Sequence, residues 1–249
     1  MRICQFLDAT YLKTAVQAHI SEQENLQNVI TLVEEAITYN YKLVMIRAKY
    51  IPTVKKLLLD AKSDVLIGTV IGFHEGTYRL SEKLEEAQKA IDLGADELDF
   101  VINYQAFKKG NVKLITEEVI QGTKLCLKNN KVVKWIIEVA ALTNKEIIVI
   151  SQLLKRIVLQ NFGEENAKNV FVKSSTGFFK TANNLPNGAT LERIKLISKN
   201  VKPLQVKAAG GVKDYETALK MIALGVDRIG TSSSKKIISK QPNTNPIDY

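Results

Sequence analysis

With 249 residues, the chain has room for one large α/β barrel or for two smaller domains, and enough length for a sizeable core. Its formal charge is +9, but the lysines are scattered and no RGG, RNP or zinc signature accompanies them; the expectation is a solvated basic surface that attracts a small phosphorylated substrate, and no nucleic-acid partner. Cys4 and Cys126 are far apart and lack metal-ligand spacing, and neither an export leader nor an apolar run of ~18 residues is read, so a cytoplasmic protein without a disulfide framework or membrane span is expected.

Short β-type runs recur along the chain. They are predicted at Ile3–Leu7, Leu43–Ile46, Val65–Ile71, Glu97–Ile102, Val133–Val139, Asn169–Lys173, Leu204–Lys207 and Asp227–Gly230. Helical patterns separate most of them: Leu26–Tyr39, Ser81–Leu93, Val112–Lys128, Asn144–Phe162, Ala189–Lys199 and Asp214–Leu224, with a short one at Lys235–Ile238. Ser21 and Glu24 have capping-box spacing, and Gly94 and Gly225 stand where helices should stop. Eight strands alternating with helices predict a single (β/α)8 TIM barrel over residues 1–238. A doubly wound open sheet is the alternative, but no glycine-rich fingerprint follows the first strand. Ser239–Tyr249 is polar with two prolines and is expected to be a flexible C-terminal tail.

In a barrel the carboxyl ends of the strands converge on one face. On the predicted strands that face gathers Asp8, Asp99, Glu138, Lys173 and Lys207. Phe171-Val172-Lys173 runs into Ser174-Ser175-Thr176-Gly177, and thirty-four residues later Val206-Lys207 runs into Ala208-Ala209-Gly210-Gly211. Adjacent strands lie ~4.8 Å apart, so the two lysines would oppose each other's charge. A neighbouring cation and a dry wall lower an amine pKa from ~10.4 towards the range where it attacks carbonyls. The plainer alternative is that the lysines snorkel, or pair with Asp99 or Glu138. Alternation puts Glu97 and Asp99 on one face, where Asp99 could orient the amine and shuttle protons or form a structural ion pair. Gly210-Gly211 and Gly230-Thr231-Ser232-Ser233-Ser234 have the character of phosphate cradles after the seventh and eighth strands. His19 and His74 are not at ligand spacing, so no metal is expected; Met45 and Trp135 are expected to be packing residues.

At these residues the chain resembles deoxyribose-phosphate aldolases, the class I, Schiff-base aldolases built on a barrel, over nearly its whole length. FVKSSTG at Phe171–Gly177 resembles the Schiff-base strand, VKAAGGV at Val206–Val212 the second-lysine strand, and GADELDFVIN at Gly94–Asn103 the segment with the catalytic aspartate. LDATYL at Leu7–Leu12 and GTSS at Gly230–Ser233 are similar to the first strand and the phosphate turn. The resemblance implies reversible cleavage of 2-deoxy-D-ribose 5-phosphate to D-glyceraldehyde 3-phosphate and acetaldehyde, in deoxyribose phosphate catabolism. It implies Lys173 as the imine-forming nucleophile, Lys207 as the cation that depresses its pKa, and Asp99 as the acid/base partner. Gly177, Gly210, Gly211, Ser232 and Ser233 would hold the phosphate. Some members use a C-terminal tyrosine in proton transfer, which makes Tyr249 a candidate. No cofactor is expected, since the iminium performs the carbonyl activation a metal would supply; family precedent favours a homo-oligomer, dimer or tetramer.

Departures from the family pattern bear on substrate preference and remove no catalytic group. Phe178 stands where some members have a lysine, His74 follows Phe73 where a proline-containing turn is usual, and Ala9 stands where many members have histidine. Glu138–Leu142 replaces an ETGEL-like run, and Met45–Ala48 a more typical exit from the second strand. Two alternatives remain open at this level: another Schiff-base aldolase acting on a different phosphorylated carbonyl compound, and a non-catalytic sugar-phosphate-binding barrel.

Overall fold

Eight short parallel strands close on one another in sequence order, as β1-β2-β3-β4-β5-β6-β7-β8, with β8 returning to β1. This computed structural model describes residues 2–182 and 185–240. The strands are β1 (Leu7–Thr10), β2 (Leu43–Ile46), β3 (Leu66–Ile71), β4 (Glu97–Val101), β5 (Val132–Ile136), β6 (Val170–Lys173), β7 (Gln205–Ala209) and β8 (Arg228–Thr231). Around them lie α1 (Ala15–Ala18), α2 (Glu22–Tyr39), α3 (Ile51–Asp60), α4 (Leu80–Leu93), α5 (Tyr104–Lys108), α6 (Val112–Lys128), α7 (Asn144–Phe162), α8 (Leu191–Val201), α9 (Tyr215–Ala223) and α10 (Ser234–Ile238). The expected TIM barrel is the observed fold.

Alternation splits each strand between two environments. Outward residues such as Leu98, Phe100, Val133, Trp135 and Val172 join the main core beneath the helices. Trp135 is packing, as expected, and its indole donates to Thr123 Oγ1 at 3.1 Å. Inward residues divide by side of the barrel. Leu43, Met45, Val70, Val101 and Ile136 form a second, apolar cluster with Leu12 and Phe73. The opposite side of the lumen is mainly charged, with Phe171 beside Lys134.

Helix starts follow their capping chemistry. Ser21 and Glu24 exchange hydrogen bonds at the head of α2, and Thr143 and Glu146 do the same for α7. Gly94 closes α4 at φ 109°, a conformation that favours glycine. The helix α3 was not expected between β2 and β3; Pro52 in its first turn suits a helix start, and Ile51, Val54 and Leu58 form its buried face.

Three strands differ from expectation by more than one residue at an end, each with a consequence for the lumen. Ile3–Phe6 is a 3-10 turn rather than a strand, and β1 begins at Leu7. Leu7 and Ala9 then face the helices, and Asp8 lies inside the lumen instead of at a strand exit. Likewise β7 continues to Ala209, so Lys207 is mid-strand rather than terminal. Finally, β5 stops at Ile136, which puts Glu138 beyond the strand, in the left-handed conformation at φ 52°. The expected tail falls outside the described residues apart from Ser239 and Lys240. Among the described residues no helix is long and apolar enough to cross a membrane.

Candidate active site

Lys173 is the last residue of β6, and Lys207 on β7 is its partner in the ladder, so the two amines enter the lumen side by side. Their meeting point is Asp99 on β4. Its Oδ2 accepts from Lys173 Nζ at 2.8 Å and from Lys207 Nζ at 2.8 Å, while Oδ1 accepts from Lys134 Nζ at 3.0 Å. All four side chains are almost wholly buried. Both alternatives for the lysines therefore merge: they pair with Asp99, and they do so next to each other.

Beneath this group lies a further layer of charge. Lys207 Nζ is 2.6 Å from Asp8 Oδ2, an ion pair rather than an aligned hydrogen bond, and Arg228 binds Asp8 at 2.7 Å and Glu97 at 2.9 Å. Lys134 also pairs with Glu97 and lies 3.5 Å from Asp8. The lumen thus holds Lys134, Lys173, Lys207 and Arg228 against Asp8, Glu97 and Asp99, one cation in excess. Room for the Lys207 stem comes from Gly230, where an added Cβ would stand 3.0 Å from Lys207 Cε.

The excess charge falls on Lys173. Burial lowers its pKa most; Asp99 opposes this, and the Lys207 and Lys134 cations add to the lowering, leaving it at about 8. Burial alone would raise the carboxyls of Asp8 and Asp99, but the surrounding cations hold both below the usual carboxylate range. Burial likewise opposes the charge on Lys134, and the three carboxylates around it override that and raise its pKa. The arrangement keeps Asp99 anionic beside an amine that loses its proton near neutrality.

The hydroxyl run after Lys173 builds the loop above it. Ser174 Oγ accepts from Ala209 N and donates to Ala209 O, both at 2.9 Å, tying the start of the loop to β7. Glu138 accepts from Ser175 Oγ at 2.8 Å, from Thr176 N at 3.1 Å and from Thr176 Oγ1. Burial raises the Glu138 carboxyl, and those donors work against the rise. Further along, Gly188 packs so closely on Gly210 that an added Cβ would stand 2.5 Å from the Gly210 carbonyl oxygen. Ala189 N donates to the Ala209 and Gly210 carbonyls.

The five residues expected at a phosphate lie on neighbouring turns of the carboxyl face. Gly177, Gly210 and Gly211 have φ of 78°, 82° and 87°, where side chains are disfavoured. Asn187 Nδ2 reaches the Gly177 carbonyl at 3.3 Å, and Thr231 Oγ1 donates to the Val212 carbonyl at 2.7 Å while accepting from Ser233 N at 2.9 Å, which joins the β7 and β8 turns. Ser232 is exposed and Ser233 half-buried. Tyr249 lies outside the described residues.

Sequence reasoning missed Lys134 and Arg228. Both were accessible to the alternation argument used for Glu97 and Asp99, because Lys134 is the ladder partner of Asp99 and Arg228 that of Lys207. It also missed Lys83, a fully buried lysine of α4. Its Nζ donates to the Gly76 carbonyl at 2.6 Å, the Val101 carbonyl at 2.8 Å and Glu118 of α6 at 2.7 Å. The pair clamps the exits of β3 and β4, and one lysine in a helical stretch carries no sequence signal for that.

Residues 7–240 match the family model described as DeoC/LacD family aldolase. The chain is 36% identical over 244 residues to the deoxyribose-phosphate aldolase of Thermococcus gammatolerans, covering 98% of each chain. It is 36% identical over 244 residues to that of Mycoplasma capricolum subsp. capricolum, covering 98% of this chain and 97% of the other. Among solved structures, the aldolase QR15 aligns with TM-score 0.76 and 31% identity over 95% of this chain and 94% of its own. The Aeropyrum pernix deoxyribose phosphate aldolase, described as tetrameric, aligns with TM-score 0.75 and 26% identity over 95% and 89%. The charged lumen and these full-length matches agree, and the chain belongs to the DeoC/LacD family of aldolases.

Proposed function

We propose that this protein is a deoxyribose-phosphate aldolase, cleaving 2-deoxy-D-ribose 5-phosphate reversibly through an imine on Lys173. One observation carries the reading: a single carboxylate oxygen, Asp99 Oδ2, serves both Lys173 and Lys207, with the Lys173 pKa lowered to about 8.

The neutral Lys173 amine adds to C1 of the open-chain sugar, and loss of water gives an iminium. The bond that breaks is C2–C3, because acetaldehyde carries away two carbons and the electrons of C2–C3 flow into the C1 iminium. The C3 hydroxyl gives up its proton as its oxygen becomes the aldehyde of D-glyceraldehyde 3-phosphate. The remaining enamine is protonated at C2, and water returns the amine and releases acetaldehyde. Asp99 orients the amine and passes protons, and the Lys207 cation helps Lys173 give up its proton. Gly177, Gly210, Gly211, Ser232 and Ser233 receive the phosphate on backbone and hydroxyl donors, and Tyr249 serves proton transfer from a tail that begins at 239. The subunits assemble as a homo-oligomer, a state light scattering reads directly; the tetrameric description of the Aeropyrum pernix enzyme supports this.

The test is product release from deoxyribose 5-phosphate, followed by coupled assays for both aldehydes. Turnover is expected, and Lys173→Leu should lower it by about 10³-fold or more, the scale expected for loss of a covalent nucleophile. Undiminished turnover in Lys173→Leu would contradict the assignment.

A further inference from the structure

The apolar side of the barrel mouth is roofed by the loop that leaves β6. Phe178 meets Phe73, just beyond β3, edge-on at 5.0 Å and stacks on His74 at 5.7 Å. Its neighbour Phe179 meets Tyr104, at the start of α5 beyond β4, at 6.2 Å. In the closed barrel β4 and β5 lie between β3 and β6, so this segment crosses above their ends. Arg47, beyond β2, lies over Phe73 with its guanidinium 4.6 Å from the ring centre.

The side chains beneath Phe178 are hydrocarbon. Phe178 packs on the inner cluster that includes Val70, Phe73, Val101 and Ile136. Ile136 is the ladder partner of Lys173 on one side and of Val101 on the other, so the apolar surface begins beside the working amine. The Lys173 side chain is only 3% exposed. In the imine of the sugar, every carbon beyond C1 carries oxygen except C2, the carbon that becomes the methyl of acetaldehyde. A dry hydrocarbon wall next to Lys173 suits that carbon and penalises the hydroxylated ones.

We infer that Phe178 is the specificity-determining residue for the donor aldehyde: its ring closes the recess that holds C2 and limits the carbon chain that fits there. This inference rests on the aldolase reading above. In the synthetic direction a longer donor such as propanal condenses with Lys173, losing water, and gives up a C2 proton to form the enamine. C2 then bonds to the aldehyde carbon of D-glyceraldehyde 3-phosphate, whose oxygen takes a proton, and water releases the product. The extra methyl on C2 must lie beneath Phe178.

The experiment compares kcat/KM for acetaldehyde and propanal as donors in the unsubstituted protein, Phe178→Leu and Phe178→Ala. Borohydride reduction of each donor adduct on Lys173 is read by mass. One methylene in an apolar pocket discriminates by roughly 10- to 200-fold, so the unsubstituted protein should prefer acetaldehyde by about tenfold or more. Phe178→Ala should reduce that preference by about tenfold, with Phe178→Leu between. An identical donor ratio in all three proteins would overturn the inference. Absence of any acetaldehyde adduct on Lys173 in the unsubstituted protein would remove the aldolase reading itself, and the inference with it.

Discussion

At the scale of single residues, the lumen solves the problem of a nucleophilic amine by charge balance. Three carboxylates face four cations, and burial beside the Lys207 and Lys134 cations lowers the pKa of Lys173, which shares Asp99 Oδ2 with Lys207. The rate kcat/KM should therefore fall as pH drops below about 8, where Lys173 takes up its proton. Two substitutions should move that limb in opposite directions. Lys207→Met removes a cation that disfavours the charged amine, so the limb moves to higher pH. Asp99→Asn removes the anion that favours it, so the limb moves to lower pH, even as both variants lose rate. A pH–rate profile of each decides the matter, and shifts of the same sign would contradict the assigned roles. Lys173, Lys207 and Asp99 were legible in the sequence because adjacent strands and alternation suffice to bring them together. The depth of Asp8 was not, because a carboxylate inside a strand reads as costly until Arg228 and Lys207 are known to meet it.

At the scale of elements, the order of strands and most helices could be read from periodicity, while the short pieces at the barrel mouth could not. The helices α1 and α5 have four and five residues, too few to show a period. The loop between β6 and α8 is shaped by Ser175, Thr176 and Glu138, contacts between side chains distant in sequence. The Lys83–Glu118 clamp is of the same kind. Lys83→Met should cost about 3–5 kcal/mol of unfolding free energy, because it leaves the Glu118 carboxylate buried and unpaired. The further change Glu118→Leu should recover much of that loss. Urea unfolding measures both, and a cost near zero for Lys83→Met would show that the pair does not hold the β3 and β4 exits.

At the scale of the whole molecule, the chain carries a net charge of +9, and the barrel mouth carries glycine and hydroxyl turns. A positive field accelerates the encounter with a phosphorylated sugar and is screened by salt. Raising ionic strength should lower kcat/KM for deoxyribose 5-phosphate while leaving kcat/KM for unphosphorylated deoxyribose nearly constant. Equal salt dependence for the two sugars would place the charge outside substrate capture.

The central claim is that Lys173 forms the imine, and the measurement that tests it most directly is borohydride reduction in the presence of deoxyribose 5-phosphate or acetaldehyde, followed by peptide mass mapping. A reduced two-carbon adduct on Lys173, absent from Lys173→Ala, is the predicted result. An adduct on Lys207 alone would exchange the roles of the two lysines, and a folded protein with no adduct on either would contradict the account.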